Sequence, residues 1–303
     1  MYKVAYNRAL LRYRIETVTP LLIRSGLASL ESVVDLECVR TRHAALGPSV
    51  YIPGSSFKGV VRSAAESFVR SRSYGGVDGA CDPFSKSGCG SHKSDGPTHE
   101  VHKQHCLACR LFGSLRMKGR ASLRDLHPWS GSGAALSEGE QRNFDRANGV
   151  EIRHGVGIDR ITGATHGGAK FEMEVVPSGV TFYGETSLEN YQIWQLGLLF
   201  SAFDEVDDGF AQLGSTQSRG LGVARIHLDA IIHEQMASAG DTPKGVGALM
   251  PSGLGDDYGL LREADLPASE SRTRGLLRRF EVMEAAALRE WRDAAANALG
   301  GLA

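Results

Sequence analysis

An α+β fold is predicted by three stretches of this 303-residue chain. Leu10 to Val18 alternates, with Leu11, Tyr13, Ile15 and Thr17 against Arg12, Arg14, Glu16 and Val18, as a half-buried strand does. Pro53-Gly54 is a turn signal, and Val60, Val61, Ala64, Ala65 and Phe68 follow it at helical spacing. Asn190 to Asp207 sets Ile193, Leu196, Leu199, Phe200 and Phe203 at helical intervals and ends near Gly209, before a strand at Val223 to Leu228. A strand followed by a helix suits a ferredoxin-like βαβ opening.

The composition is that of an ordinary globular chain, 42% hydrophobic and 23% charged, with room for one large or two small domains. No apolar run reaches the ~18 residues of a membrane span, so no membrane partner is expected. Met1 to Leu10 is too polar for a signal peptide, so a cytoplasmic location is expected, with the five cysteines as reduced thiols or metal ligands. The formal net charge of −1 hides an asymmetry. Residues 1–125 hold 19 Lys and Arg against 10 Asp and Glu, leaving 15 against 25 in residues 126–303. Such a split presents a basic face to an anionic polymer, or sets one half against an acidic partner.

At the start of the first helix, Gly54, Ser55 and Ser56 occupy the turn and the N-cap positions, where free N–H groups and the positive dipole end meet. Lys58 and Arg62, four apart, add two cations on one helical face, which makes a ready phosphate site. Gly26 to Ser49 before it reads as a long irregular connection centred on Val33-Val34-Asp35-Leu36-Glu37, with Arg40, Arg42 and His43 close by.

Tyr74 to His105 is rich in Gly, Ser, Asp and His and lacks periodicity, so it needs a clamp. Cys81 and Cys89 are separated by seven residues, Cys106 and Cys109 by two, and the pairs by sixteen. Two thiolates on a Cys-x-x-Cys turn plus a distant pair give the tetrahedral sulfur set that zinc prefers. His99 or His102 is a substitute for Cys89 in a three-Cys, one-His site. A closed four-ligand site leaves no open position for water, so this zinc is read as structural.

Arg116, Lys118, Arg120 and Arg124 follow, and Gly131 to Gly139 reads as a linker. Val156, Ile158 and Ile161 suggest a short strand near Arg153 and Arg160. Phe171 to Val176 and Thr181 to Glu185 suggest two more, turned into a hairpin by Pro177-Ser178-Gly179. Asp159 is expected to hold Arg160 or the turn. In Leu213 to Val223, Arg219, Gly220 and Gly222 lie in a glycine-rich loop, where backbone can approach a ligand closely and N–H groups can form an anion nest. His233 to Glu270 reads as loop. Ser271 to Leu299 reads as one amphipathic helix, with Leu276, Leu277, Phe280, Met283, Leu288 and Trp291 on a stripe.

Four of these stretches resemble, in order, the signatures of RAMP proteins, the RNA-binding subunits of CRISPR effector complexes. Ile52 to Gly59 resembles "IPGSSLKG", Cys109 to Ser114 resembles "CRLFGS", Ile158 to Ala164 resembles "AIDRxTGxA", and Gly214 to Gly222 resembles "G-x-x-x-S-R-G-x-G". The match covers residues 11–228 and is most similar to the backbone subunit of type III complexes. It implies an RRM-like RNA-binding domain over residues 1–233, with a zinc-binding insertion at 74–110 and a thumb-like hairpin at 150–186. Residues 234–303, a loop plus a C-terminal amphipathic helix, lie outside it.

The resemblance implies an endoribonuclease that binds crRNA and cuts complementary target RNA at regular intervals, assembled with copies of itself and other effector subunits in antiviral defence. It implies that Asp35 is catalytic, with Glu37 as a second candidate. RNA contacts are implied at Gly54, Ser55, Ser56, Lys58, Arg62, Arg153, Arg160, Arg219, Gly220 and Gly222, and zinc at Cys81, Cys89, Cys106 and Cys109. The chemistry is attack of an RNA 2′-hydroxyl on its own phosphate, with Asp35 orienting the hydroxyl or holding Mg2+ or another divalent cation. Two other functions suit the same scaffold: a crRNA-binding and assembly protein without catalysis, and a ribonuclease that processes the crRNA precursor, for which His43 and His154 are the acid–base candidates.

Overall fold

The computed structural model describes residues 3–26, 34–70, 73–91, 96–131, 133, 135–262 and 264–302, and shows a mixed α/β architecture around one large antiparallel sheet. The first strand, β1 (Asn7–Thr17), buries Ala9, Leu11, Tyr13 and Ile15 on one face and turns Arg8, Arg12, Arg14 and Glu16 outward, as its alternation predicts. A small hairpin of β2 (Arg40–His43) and β3 (Gly47–Val50) leads into α1 (Gly54–Val69). The connection expected to be irregular is therefore partly ordered, because Gly47 takes the positive φ that closes this turn. Of the stretch around Asp35, Val33 lies outside the described residues.

Two short hairpins, β4 (Ser73–Tyr74) with β5 (Val77–Asp78) and β6 (Gly113–Ser114) with β7 (Met117–Lys118), bracket the cysteine-rich insertion and its helices α2 (Thr98–Gln104) and α3 (Leu107–Phe112). Then come β8 (Ala121–Leu123) and α4 (Glu138–Asn148). Three long strands follow, β9 (Glu151–Ile158), β10 (Thr165–Val175) and β11 (Thr181–Glu189), and then α5 (Ile193–Asp207) and β12 (Ala224–Met236).

The large sheet runs β13-β14-β12-β1-β11-β8, where β13 is Ser271–Arg274 and β14 is Leu277–Val282. Every pairing in it is antiparallel. Helices α1 and α5 cover the buried face through Phe57, Val61, Phe200 and Phe203, with the Phe57 and Phe203 rings against Tyr13. The terminal α8 (Ala285–Gly300) lies against α5 so closely that a Cβ on Gly197 would sit 2.1 Å from the Ala295 carbonyl oxygen. Among the described residues, no helix is long and apolar enough to cross a membrane.

Three further stretches differ from the sequence expectation. Phe171–Val176 does not pair with Thr181–Glu185; the separate hairpin is β9 with β10, closed at Asp159–Ala164, while β11 enters the large sheet between β1 and β8. The local cause lies at Asp159, whose Oδ1 accepts from the N–H groups of Ile161 and Thr162 while Gly163 takes a positive φ.

The segment 271–299 is not one helix. Gly275 has a positive φ and turns β13 into β14, which pairs with β12 at the sheet edge, and only residues from Ala285 are helical. Phe280 and Val282, two apart, are buried, whereas Leu276 and Met283 of the supposed stripe are exposed. The stretch before it is also more than loop. β12 continues to Met236, and the short helices α6 (Val246–Leu249) and α7 (Leu254–Asp257) close a small cluster of Val246, Met250 and Tyr258.

Candidate functional site

The first turn of α1 is capped differently from its sequence. The N-cap is Pro53, and Ser55 and Ser56 lie exposed inside the first turn. The Gly54 N–H instead donates to Asp125 Oδ1 at 2.7 Å, a carboxylate that sequence spacing could not connect to it. Gly54 itself is buried, and a Cβ there would meet the Leu123 carbonyl oxygen at 2.5 Å, so glycine is required by the neighbouring backbone.

Lys58 and Arg62 point to one cleft of 710 Å³, lined also by Cys81, Cys109 and Gly113. Lys58 is half-buried, and its pKa is lowered first by that burial and then by Arg62. The Arg62 guanidinium is fully engaged. Nε donates to Glu66 Oε1 at 2.7 Å, one terminal nitrogen to the Gly113 carbonyl at 3.0 Å, and the other to Cys109 Sγ at 3.4 Å. Arg62 thus ties α1 to the cysteine cluster, and the cleft is also lined by Lys58 and by Lys118, which pairs with Glu189 at 3.0 Å.

The four cysteines separated in sequence converge. The sulfurs of Cys81, Cys89, Cys106 and Cys109 lie within 4.8 Å of one another, with Cys81 and Cys109 3.7 Å apart. A tetrahedral zinc with Zn–S bonds of about 2.3 Å needs sulfurs about 3.8 Å apart, so the set fits a metal such as zinc. Backbone N–H groups donate to two of the sulfurs, Cys106 N to Cys89 Sγ at 3.3 Å and Cys109 N to Cys106 Sγ at 3.4 Å. With the Arg62 contact, these bonds offset thiolate charge. Hydrogen bonds from Cys106 and Cys109 hold the Cys89 thiol down, while those with Cys106 and Cys89 push Cys109 up.

The histidine substitutes are placed elsewhere. His102 Nδ1 meets the Tyr258 carbonyl at 2.8 Å, and burial lowers its pKa to about 3. His99 stands edge-on to the Tyr258 ring. The fully buried Arg110 bonds to the carbonyls of His105, Lys103 and Gly259, fastening the insertion to the segment after β12. Cys38, the fifth cysteine, is buried apart from the cluster, and burial pushes its thiol up to about 12.

Asp35 is exposed at the base of the β9–β10 hairpin. Its Oδ2 accepts from the Glu172 N–H at 2.8 Å, and Leu36 exchanges backbone bonds with Glu172 and Glu174 at 3.1 and 2.9 Å. The Asp35 segment is thereby laid along β10. Glu37 is half-buried, and its carbonyl accepts from Ser25 N at 3.0 Å.

The glycine-rich loop reaches the same place, with the Arg219 guanidinium 5.5 Å from the Phe171 ring centre. Phe171 in turn covers Gly155, where a Cβ would fall 2.2 Å from the ring. Within the loop, Gly214 and Gly222 have positive φ and no room for a side chain, their Cβ positions lying 2.3 Å from Leu22 O and 2.0 Å from Leu213 O. Gly220, also at positive φ, faces open space. The expected nest of free N–H groups is not formed, since those of Arg219, Gly220 and Gly222 bond to Thr216, Gln217 and Pro20.

Asp35, Arg219 and Gly220 therefore gather at the hairpin base, and Lys58 and Arg62 gather beside the cysteines. Arg153 and Arg160 are exposed along the hairpin and at its turn. Ile152, Val156, Ile158 and Ile161 are exposed there as well, an apolar surface that the hairpin's own pairing leaves uncovered. His154 Nδ1 lies 3.3 Å from Glu172 Oε1, whereas His43 Nδ1 accepts from the N–H groups of Ala45 and Leu46. Asp125, Glu172 and Phe171 are the site neighbours that the sequence did not signal, because each is defined by a partner distant along the chain.

Residues 14–225 match the family model of the RAMP superfamily. No curated protein matches the chain in sequence. Among solved structures, a chain of a "Type IV-B CRISPR Complex" superposes with a TM-score of 0.52 at 17% identity, covering 72% of this chain and 90% of that one. At that identity the likeness is one of fold.

Proposed function

This chain belongs to the RAMP superfamily, and on that premise we propose that it is the crRNA-binding backbone subunit of a CRISPR effector complex and cuts target RNA through Asp35. The order β1–α1–β8–β11–α5–β12, with sheet order β12-β1-β11-β8, supports a ferredoxin-like, RRM-like core. The fold neighbour comes from a Type IV-B CRISPR complex, which supports membership of an effector assembly; the type III assignment rests on the sequence motifs.

The observation that carries the reading is the position of Asp35. An exposed carboxylate is fixed by one oxygen to the hairpin that would cross an RNA duplex, with Arg219 beside the same strand. Oδ1 is left to orient a 2′-hydroxyl or accept its proton, and Arg219 is placed to neutralise phosphate charge. Among the described residues the four cysteines are the sole cluster with the geometry for a metal ion. A divalent cation held by Asp35 would therefore draw its other ligands from water and RNA phosphate oxygens, as Mg2+ commonly does. The zinc is structural in this reading, bracing the insertion against α1. The exposed Ile152, Val156, Ile158 and Ile161 suit contact with the next copy and its bound RNA.

The test is cleavage by the assembled protein with a guide and a matching target, in Mg2+ and in a chelator. Cuts at a constant interval in Mg2+ alone are expected. One observation favours a second reading, a scaffold without catalysis: the Asp35 contact with Glu172 N is also what a loop-holding aspartate makes. Tight guide binding without cuts under either condition would establish that reading.

Lys58→Ala is expected to weaken guide binding alike for all sequences. It should flatten the slope of log K against log salt by about 0.7, the value of one single-strand phosphate contact. Fluorescence anisotropy across a salt series checks it.

A further inference from the structure

The four clustered cysteines are not equivalent. Cys81 and Cys109 line the 710 Å³ cleft, together with Lys58 and Arg62. Their sulfurs lie 3.7 Å apart. Cys89 and Cys106 do not line that cleft; both are buried, and their sulfurs accept the backbone N–H groups of Cys106 and Cys109. Cys81 is the one partly exposed member, and among the described residues its sulfur receives no backbone N–H bond.

The two cleft-lining sulfurs also differ in how firmly they are held. Cys109 belongs to α3, and Arg62 donates to its sulfur at 3.4 Å. Cys81 lies in the loop after β5, outside any helix or strand. Cys81 is therefore the partner able to close the gap to the ~2.05 Å of an S–S bond. A partly exposed sulfur beside cations is also the setting in which a cysteine is oxidised first. The Cys-x-x-Cys pair is a poorer candidate for bonding, because the Cys106 sulfur caps α3 by accepting from Cys109 N.

We propose that Cys81 and Cys109 are an oxidation site, and that they form a reversible disulfide when hydrogen peroxide enters the cleft. The Cys81 sulfur attacks one peroxide oxygen. An S–O bond forms, the O–O bond breaks, and the second oxygen leaves as hydroxide, which a proton from solvent turns into water. The Cys109 sulfur then attacks the sulfenic sulfur of Cys81. The S–S bond forms, the S–O bond breaks, and a second hydroxide leaves and is protonated. Two electrons pass from the two sulfurs to the peroxide. Lys58 and Arg62 on the same cleft favour each departing hydroxide.

The thiolate is the form that binds a metal and the form that attacks peroxide. Once bonded to each other, Cys81 and Cys109 no longer serve as thiolate ligands, and Cys89 and Cys106 alone cannot close a four-sulfur site. The insertion thus loses its clamp under oxidant and regains it on reduction. This chemistry goes beyond the RNA reading and does not depend on it.

The test treats the full chain, loaded with zinc, with hydrogen peroxide and follows the metal with a chromogenic chelator. Brief exposure in the presence of dimedone should label Cys81. Longer exposure without dimedone should release the zinc, leave three of the five cysteines open to alkylation and lower the mass by two hydrogens. Peptide mass spectrometry with fragmentation should join Cys81 to Cys109. Dithiothreitol and added zinc should then restore the starting metal content. Cys38→Ser should release zinc at the wild-type rate, since Cys38 lies outside the cluster. A first label on another cysteine, a bond between Cys106 and Cys109 or to Cys89, or five thiols intact after peroxide would overturn the proposal. So would a loss of zinc that dithiothreitol does not reverse. The labelling and pairing readouts decide the matter even for a chain isolated without zinc.

Discussion

Asp35→Ala is expected to lower target cleavage by about 10²- to 10⁴-fold, the contribution typical of a positioned general base, with guide binding unchanged. The side chain is exposed and, among the described residues, makes one hydrogen bond, to Glu172 N, so its removal should cost about 1 kcal/mol of stability or less. Asp35→Asn separates chemistry from positioning. Asparagine keeps an oxygen that can accept from Glu172 N, yet it neither takes a proton nor holds a cation well. If Asp35 performs the chemistry, the asparagine variant is as inactive as the alanine variant. If it merely holds the hairpin base, asparagine restores most of the cleavage. Quenched-flow or gel-based single-turnover rates on assembled protein read the difference.

Cys81→Ser is expected to have the largest effect on stability. Structural zinc contributes on the order of 10–16 kcal/mol of apparent folding free energy in small zinc domains, and the insertion between Tyr74 and His105 has little other core of its own. Cys81 is the most exposed of the four, so the change is mainly the loss of a ligand rather than of packing. Wild type should carry one zinc per chain by a chromogenic chelator assay, and the variant well below one, with a lower melting temperature. Cys38→Ser is the control, since Cys38 lies outside the cluster and should leave the zinc in place. Because zinc ligands must be thiolates, acidification should release the metal from wild type, the sign following from protons competing for sulfur. Full zinc content in Cys81→Ser would exclude the four-sulfur site.

Much of this organisation is legible in local pattern. The alternation of β1, the spacing of α1 and α5 and the cysteine pairs each report a period or a chelating geometry, and the structure keeps all of them. What local pattern misreads is pairing. β10 and β11 are adjacent and joined by a turn signal, yet β11 is drawn into the large sheet by β1 and β8, which are far away in sequence. Residues 276–283 mimic a helical stripe because Leu277 and Phe280 are three apart, but the available edge of β12 rewards their two-residue alternation instead.

The site shows the same division. The spacing of Lys58 and Arg62 places both beside one cleft, but it cannot reveal that Arg62 is taken up by Glu66, Gly113 and Cys109. The glycines of the 213–223 loop are legible as backbone freedom, and two of them prove to be fixed by Leu22 and Leu213 rather than by a ligand.

The backbone role is tested most directly by native mass spectrometry of the protein bound to guide RNAs of increasing length. The number of copies per RNA should rise in steps, one copy for each fixed increment of nucleotides. A single copy per RNA at every length, under saturating protein, would contradict it.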